Sequence, residues 1–369
     1  MLLLTINAGS SSLRLSLFEQ AGDGLVRLTE VYHDGITEYA PSLLGDVIAS
    51  VDVAEITLVV HRVVHGGVLL TSPCLIDAMV EAEIERLIPL APLHNPAALM
   101  WIRLARRLLN EQVPQVAVFD TAFYQSLPEV AATYALPHEL CRHYGIRRYG
   151  FHGIAHRAMW QRWRALRPEI EGGGRVISVQ LGSGCSITAI DRGGPVDTSM
   201  GFSPLEGLMM ATRSGDVDPT VITYLQREVG LDAEEIERLL NKQSGLFGLS
   251  GESSDMRVLL DSDNPDAQLS VDLYCYRVRK YIGAYLAVLG GVDAIVFGGG
   301  VGENSSQVRM KILQGMKWLG LELDDDGNKN AVGVEANIST ANSRIEVWVI
   351  AVDEASVMAQ EALEKMSNV

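Results

Sequence analysis

Leu2-Leu3-Leu4-Thr5-Ile6-Asn7-Ala8-Gly9-Ser10-Ser11-Ser12-Leu13-Arg14-Leu15-Ser16-Leu17-Phe18 is the stretch whose reading sets the fold. Leu2 to Ile6 is an apolar run of strand length, and Asn7 to Ser12 is turn chemistry. Leu13, Leu15 and Leu17 then alternate with Arg14 and Ser16, the period of a half-buried strand. A similar unit returns later: strand Val176 to Gln180, turn Leu181-Gly182-Ser183-Gly184-Cys185, strand Ser186 to Ile190. Setting Ser12 against Ser186 puts the copies 174 residues apart (186 − 12), the spacing of a duplicated domain, not of a solenoid repeat. Turns of this kind bare backbone N–H groups and small hydroxyls, glycine allowing close approach, and such nests suit phosphate oxygens. Two nests, one per domain, predict a clamp on a polyphosphate.

A third loop follows the apolar run Ala294 to Phe297: Gly298-Gly299-Gly300-Val301-Gly302-Glu303-Asn304-Ser305, with a helix expected over Ser305 to Met316. Bare backbone there suits a nucleotide. No Lys-Ser/Thr follows the last glycine, so it is not a Walker A loop, and Glu303 stands where G-x-G-x-x-G needs its third glycine. Asn95-Pro96 reads as cap and opening of a helix over Ala97 to Glu111. Asp232-x-x-Glu235 reads as a capping box. Further helices are expected over Asp266 to Leu289 and Asp353 to Met366. Strands alternating with helices mean an α/β class, here with two domains meeting along a cleft.

The chain has 369 residues, 47% of them apolar and 21% charged, as in an ordinary globular protein. Its net charge of −16 argues against a nucleic-acid surface or an anionic membrane surface, though local cations can still hold a phosphate. Cys74, Cys141, Cys185 and Cys275 are scattered without a C-x-x-C pair, which fits a reducing cytoplasm. The N-terminus reads as no signal peptide, and no transmembrane helix is expected.

Several residues look chemical. Arg62, in His61-Arg62-Val63-Val64-His65-Gly66-Gly67 after a strand over Ile56 to Val60, is placed to reach a small anion. His94 precedes a helix N-terminus. Asp120 ends the strand in Val118-Phe119-Asp120-Thr121-Ala122, where open α/β sheets face a ligand crevice. His61 with His65, and His152 with His156, have i, i+4 spacing, but no H-E-x-x-H glutamate accompanies them. A His meeting a phosphoryl group is the better reading. Gly201 to Pro219, dense in Gly, Pro and polar residues, reads as an ordered functional loop, with Arg213 projecting between small residues.

The stretches NAGSSSLR, HRVVHGG, APLHNP, VFDTAF, RYGFHGIAH, TSMGFSPLEGLMMATRSGDVDP, GLFGLSG and GGGVGENS, in this order over residues 7 to 305, resemble the acetate and propionate kinase family. That family lies within the actin, sugar-kinase and heat-shock-protein superfamily. The resemblance implies duplicated ribonuclease-H-like, actin-like domains, over 1–121 with 356–369 and over 122–355. It implies ATP and acetate going to ADP and acetyl phosphate, with Mg²⁺ or Mn²⁺, in a cytoplasmic homodimer. It implies Asn7 and Glu354 at the metal, and Ser10, Ser12 and Arg14 near the phosphates. Arg62 would hold the acetate carboxylate. Asp120, His152 and Arg213, with His94 nearby, would be catalytic. Val64, Leu93, Phe151 and Pro204 would seat the acetate methyl. Gln180, Leu181, Gly182, Ser183 and Gly184 would contact the nucleotide, as would Asp255, Met256 and Arg257, and Gly300, Val301, Gly302, Glu303 and Asn304.

The sequence departs from the family pattern at Ser183, where the turn is usually G-N-G, at Gln180, usually His, and at Arg14, usually Lys. The connection between the first hairpin and His61 is also shorter. Alternatives from other classes are a hydroxyl-directed sugar kinase and a non-catalytic nucleotide-binding homologue. Acetate is ionised at neutral pH, so no general base is needed and Asp120 reads as an orienting or metal-linked carboxylate.

Overall fold

The structure is a computed structural model and describes residues 1–9, 12–22, 24–34, 55–109 and 112–367. The chain divides into two compact units, Met1–Gln125 with Phe151–Ile154 and Asp353–Val369, and Ser126–Gly150 with Ala155–Val352. Phe151–Ile154 is thus a brief return of the chain to the first unit.

The first unit holds a six-stranded sheet of β1 (Leu2–Ala8), β2 (Ser12–Ala21), β3 (Gly24–Asp34), β4 (Ile56–Val63), β5 (Cys74–Leu75) and β6 (Gln115–Phe119), in spatial order β3-β2-β1-β4-β6-β5. The second unit holds β7 (Arg175–Leu181), β8 (Cys185–Asp191), β9 (Gly194–Thr198), β10 (Ala294–Gly298), β11 (Ala336–Asn337) and β12 (Glu346–Val349). Their order is β11-β12-β10-β7-β8-β9. Read from its other edge, this is the first order with six added to every strand. The senses agree too: β1 with β2 and β7 with β8 are antiparallel, and β1 with β4 and β7 with β10 are parallel. The duplication expected from the two hairpins is therefore a duplication of the whole sheet.

The copies differ at the turn. Gly9 N–H donates to the Ser12 carbonyl at 2.8 Å, and Gly182 N–H to the Gly184 carbonyl at 3.1 Å. Ser12 thus corresponds to Gly184, not to Ser186, and the second turn is one residue shorter. A match by residue type alone hid that deletion.

The alternation in β2 holds for Leu13, Leu15 and Leu17, all fully buried, but Ser16 and Phe18 are buried as well, Ser16 donating to Glu30 and Phe18 lying under the Arg27 guanidinium. Leu4, Ile6, Leu13, Leu15 and Leu17 pack on Trp101, Leu104 and Ala105 of the helix Asn95–Leu109. The helix Glu354–Ser367 packs on β1, β4 and β6. Asp232 and Glu235 form the expected reciprocal capping box. The long helix runs from Pro265, one residue before the expected start, to Leu289 and is capped by Asn264. No helix among the described residues is long and apolar enough to cross a membrane.

Candidate active site

The sequence placed Arg62 after its strand. It lies within β4, which runs on to Val63. His61 and Arg62 break the apolar pattern, but pairing with β1 on one side and β6 on the other carries the strand through them. Arg62 therefore stands at the carboxyl ends of the parallel strands, beside Asn7 at the end of β1 and Asp120 just past β6, where α/β sheets present ligand-binding groups.

These residues form one network within the first unit. Arg62 Nη2 donates to Asp120 Oδ2 at 2.6 Å and Nε to Oδ1 at 3.1 Å, a bidentate fork. Its Nη1 donates to Asn7 Oδ1 at 3.0 Å. Asn7 Nδ2 donates to Glu354 Oε2 at 2.6 Å, and that oxygen lies 3.8 Å from Arg62 Nη1. Burial pushes the Asp120 carboxyl up from its ordinary range; the Arg62 guanidinium pulls it down. The neighbouring Asp120 and Glu354 carboxylates hold Arg62 above its ordinary value in spite of burial. The two-point bond fixes the orientation of the Arg62 guanidinium.

His152 sits next to this network with φ of +56°, in the left-handed region, and its backbone N–H donates to the Asp120 carboxylate. Strain of this kind on a non-glycine residue collects at functional sites. Gly153 follows because nothing larger fits: a Cβ there would lie 2.0 Å from the Asp120 carbonyl and 2.6 Å from Phe123 Cβ. Tyr124 fixes the preceding turn by donating its hydroxyl to the Phe151 carbonyl at 2.8 Å.

The segment from Val64 to Gly67 is clamped by Asn95. The sequence made Asn95 a helix cap, but the Ala98 N–H bonds to the His94 carbonyl, so the helix begins one residue earlier. The freed Asn95 side chain is fully buried, accepts from His65 N–H at 3.2 Å and donates to the His65 carbonyl at 3.2 Å. Val64 and Phe151 are buried, and Leu93 and His94 are half-buried, all in the first unit. Pro204 is half-buried in the second. The paired histidines do other work. His61 Nε2 bonds Gln115 at 2.6 Å, and His156 bonds Ser178 and Ser186, each at 2.8 Å. Burial lowers His61 to about 4 and His156 to about 3, so both are neutral.

In the second unit, Arg213 lies on the irregular loop between β9 and the helix Pro219–Tyr224. Its Nη1 donates to the Pro204 carbonyl at 3.1 Å, and among the described residues no carboxylate pairs with it. Burial lowers its pKa from the ordinary guanidinium value. A half-buried guanidinium without a counter-charge is suited to an anionic ligand.

The three glycine-rich elements are placed as follows. Ser10 lies outside the described residues; Ser12 is half-buried, and Arg14 stacks 5.5 Å from the Tyr32 ring. Ser183 is exposed at the tip of the β7–β8 turn, and its carbonyl accepts from Ala211 N–H at 3.1 Å. Leu181 is buried, and Gln180 Oε1 is buried with no partner among the described residues. The third loop is itself helical over Gly299–Asn304, with Ser305 capping a second helix, Ser306–Leu313, where one helix from Ser305 was expected. Gly299 has φ of +77°, and a Cβ there would lie 2.6 Å from the Leu181 carbonyl. Glu303 Oε1 braces the loop by accepting from Gly299 N–H at 2.9 Å and Val352 N–H at 3.1 Å. Asn304 Nδ2 donates to the Gly300 carbonyl at 2.9 Å, while Val301 is half-buried and Gly302 buried. Gly300 faces open space. Asp255 caps the helix Met256–Leu260 and pairs with exposed Arg257 at 2.6 Å; Met256 is buried.

One residue the sequence reading passed over stands behind this loop. Arg309 is fully buried and donates to the carbonyls of Gly302, Glu303, Asn328 and Ala331 and to Asn328 Oδ1. A basic residue amid Val308, Ile312 and Leu313 on a short helix was the available signal.

A family model described as the acetokinase family matches residues 27–360. The chain belongs to the acetokinase family. An acetate kinase of Chloroherpeton thalassium is 45% identical over 341 residues, covering 91% of this chain and 82% of that protein. The crystal structure of Porphyromonas gingivalis acetate kinase matches with a TM-score of 0.87 at 38% identity, over 98% of this chain and 99% of that one. A propionate kinase from Francisella tularensis matches with a TM-score of 0.86 at 35% identity, over 98% of each chain. The acetokinase relationship makes this chain a phosphotransferase and its fold the duplicated actin-like plan.

Proposed function

We propose that the chain transfers the γ-phosphoryl group of ATP reversibly to acetate, giving acetyl phosphate and ADP by direct in-line transfer. The observation that carries this reading is the Arg62 guanidinium, held by Asp120 and Asn7 at the strand ends beside Glu354. Acetate arrives ionised, so the obstacle is repulsion between anions, and catalysis is positioning and charge neutralisation. Arg62 binds the carboxylate. Asp120 orients Arg62 and has no proton to take. Arg213, His152 and His94 meet charge on the transferring group. Val64, Leu93, Phe151 and Pro204 seat the methyl.

Ser10, Ser12, Arg14 and the residues Gln180 to Gly184, Asp255 to Arg257 and Gly300 to Asn304 hold the nucleotide. Mg²⁺ usually takes one or two carboxylates and completes its shell with water and phosphate. Glu354 fits that role, since the bonds to Asn7 and the approach to Arg62 use Oε2 alone. Asn7 orients it. The ion, or Mn²⁺ in its place, would neutralise phosphate charge.

The test is an acceptor panel with ATP, GTP and pyrophosphate as donors. Acetate should be preferred, with propionate tolerated, because one methylene is worth only about 1–3 kcal/mol. No turnover with any short carboxylate, or a preference for butyrate, refutes the reading. The likeness to a propionate kinase favours a general short-chain carboxylate kinase as the second reading, and the same panel separates the two. We place the enzyme in the cytoplasm as a homodimer serving acetyl-CoA biosynthesis, with sedimentation at working concentration as the check on its assembly.

A further inference from the structure

Among the described residues, the Arg213 guanidinium has one hydrogen bond to an oxygen, the carbonyl of Pro204. Two residues on from Pro204 lies a polar cluster. Glu206 Oε1 accepts from Arg148 Nη2 at 2.7 Å, and Glu206 Oε2 accepts from the Tyr134 hydroxyl. Tyr134 Oη in turn accepts from Phe202 N–H at 2.8 Å. Arg148 also donates to the Thr198 carbonyl at 3.1 Å, where the loop leaves β9. Gly201 closes the arrangement: its carbonyl accepts from Tyr149 N–H at 3.0 Å, and a Cβ on it would fall 1.7 Å from Glu206 Oε2 and 2.0 Å from Tyr134 Oη. The loop from Thr198 to Glu206 is therefore wrapped around one carboxylate. A second tie, Gly207 N–H to Asp216 Oδ1 at 2.8 Å, closes the loop beyond Arg213.

We infer that Glu206, held by Arg148 and Tyr134, is a positioning residue for the reaction: it fixes the Pro204 carbonyl and through it the direction of the Arg213 guanidinium. Glu206 does not itself touch substrate. The inference rests on the reading that Arg213 meets the transferring phosphoryl group. It follows from the chemistry of the loop. An arginine without an acidic partner has no strong local anchor, so its aim depends on the backbone that carries its acceptor. A misplacement of about 1 Å is enough to cost about a hundredfold in rate.

The test is a double-mutant cycle in the full-length enzyme, using Glu206→Gln, Tyr134→Phe and Arg213→Ala, read as kcat and KM for both substrates. Glu206→Gln keeps the shape and loses the charge. It should lower kcat about 10- to 100-fold with little change in KM for ATP, and Tyr134→Phe should do the same more weakly. In the Arg213→Ala background, Glu206→Gln should cost almost nothing further, because the group it positions is gone. Multiplicative losses in the double variant overturn the inference. So does a Tyr134→Phe enzyme of unchanged kcat together with a Glu206→Gln enzyme whose loss is confined to melting temperature. Near-normal turnover in Arg213→Ala alone instead refutes the role of Arg213, which keeps the two failures apart.

Discussion

Arg62→Ala should destabilise the first unit in a way that depends on pH with a defined sign. Asp120 is fully buried and Arg62 keeps only 12% of its side chain exposed. Removing one member of such a pair leaves an uncompensated charge and costs about 3–5 kcal/mol. At about 2–4 °C per kcal/mol for a unit of this size, the melting temperature should fall by about 6–20 °C. Burial already pushes the Asp120 carboxyl up, and the Arg62 guanidinium is the strongest force pulling it back. Without Arg62 the folded-state pKa moves further above the unfolded value of about 3.9. A carboxyl raised in this sense binds its proton more tightly in the folded chain. Its contribution is fully present below the unfolded value and is lost as pH rises through the folded one. The deficit relative to the parent is therefore largest at neutral pH and shrinks on acidification. Calorimetry of both proteins near neutrality and in mild acid measures this. Adding Asp120→Asn to Arg62→Ala should return stability, because the stranded charge is removed. A melting temperature within a degree of the parent, or a deficit that grows on acidification, refutes the reasoning.

Three further outcomes are expected. Gly153→Ala would set a Cβ 2.0 Å from the Asp120 carbonyl, so the chain must shift at Asp120 and His152. Stability should fall by about 1–3 kcal/mol and kcat by far more than KM. Asn95→Ala removes two bonds to the His65 backbone and one to the Ile84 carbonyl; thermal melts should show about 1–3 kcal/mol lost, with KM for acetate raised by loosening beside Val64. Arg309→Met strands the carbonyls of Gly302 and Glu303, so KM for ATP should rise while KM for acetate holds. An unchanged KM for ATP would separate Arg309 from the nucleotide loop.

The hairpins were legible because their information is local: alternation in Leu13 to Leu17, and glycine and serine where the chain must turn. Asp120 at a strand end was legible for the same reason. What escaped depends on distant partners. Asn95 carries a local capping pattern, but His65, thirty residues away, takes its side chain. Arg62 looked like a residue past its strand because only β1 and β6 together extend the strand to it. Arg309 drew no notice, since the acceptors that bury it, two carbonyls of the preceding helix and three oxygens from Asn328 and Ala331, meet only in the fold. Glu206 lies in the glycine-rich loop Gly201 to Pro219, but only the fold brings Arg148 and Tyr134 onto it.

The duplicated sheets carry different chemistry at the same register. Asn7 stands one pair before the first turn, opposite Arg14; Gln180 stands one pair before the second, opposite Ser186. Ile6 pairs with His61, and its counterpart Val179 pairs with Phe297, so Arg62 corresponds to Gly298. In the same way Ala117 corresponds to Val349, and counting on three residues sets Asp120 against Val352. The correspondence is spatial as well: Arg62 bonds Asp120, while a Cβ on Gly298 would lie 2.7 Å from Val352 Cγ2. The position that carries a charged fork in one copy has no room for any side chain in the other. A carboxylate substrate needs a fixed cation, which the first copy supplies from strand ends. A polyphosphate is better met by bare backbone donors than by one charge, and the second copy's strand ends in glycine, with Glu303 bracing the loop through the Val352 amide. Side chains at this register are consistent with the proposal that acetate is held by the first unit and the nucleotide by the second. An Arg62→Gly exchange should abolish carboxylate binding while leaving the Kd for ATP, read by calorimetry, in place; loss of both would show that register does not divide the labour.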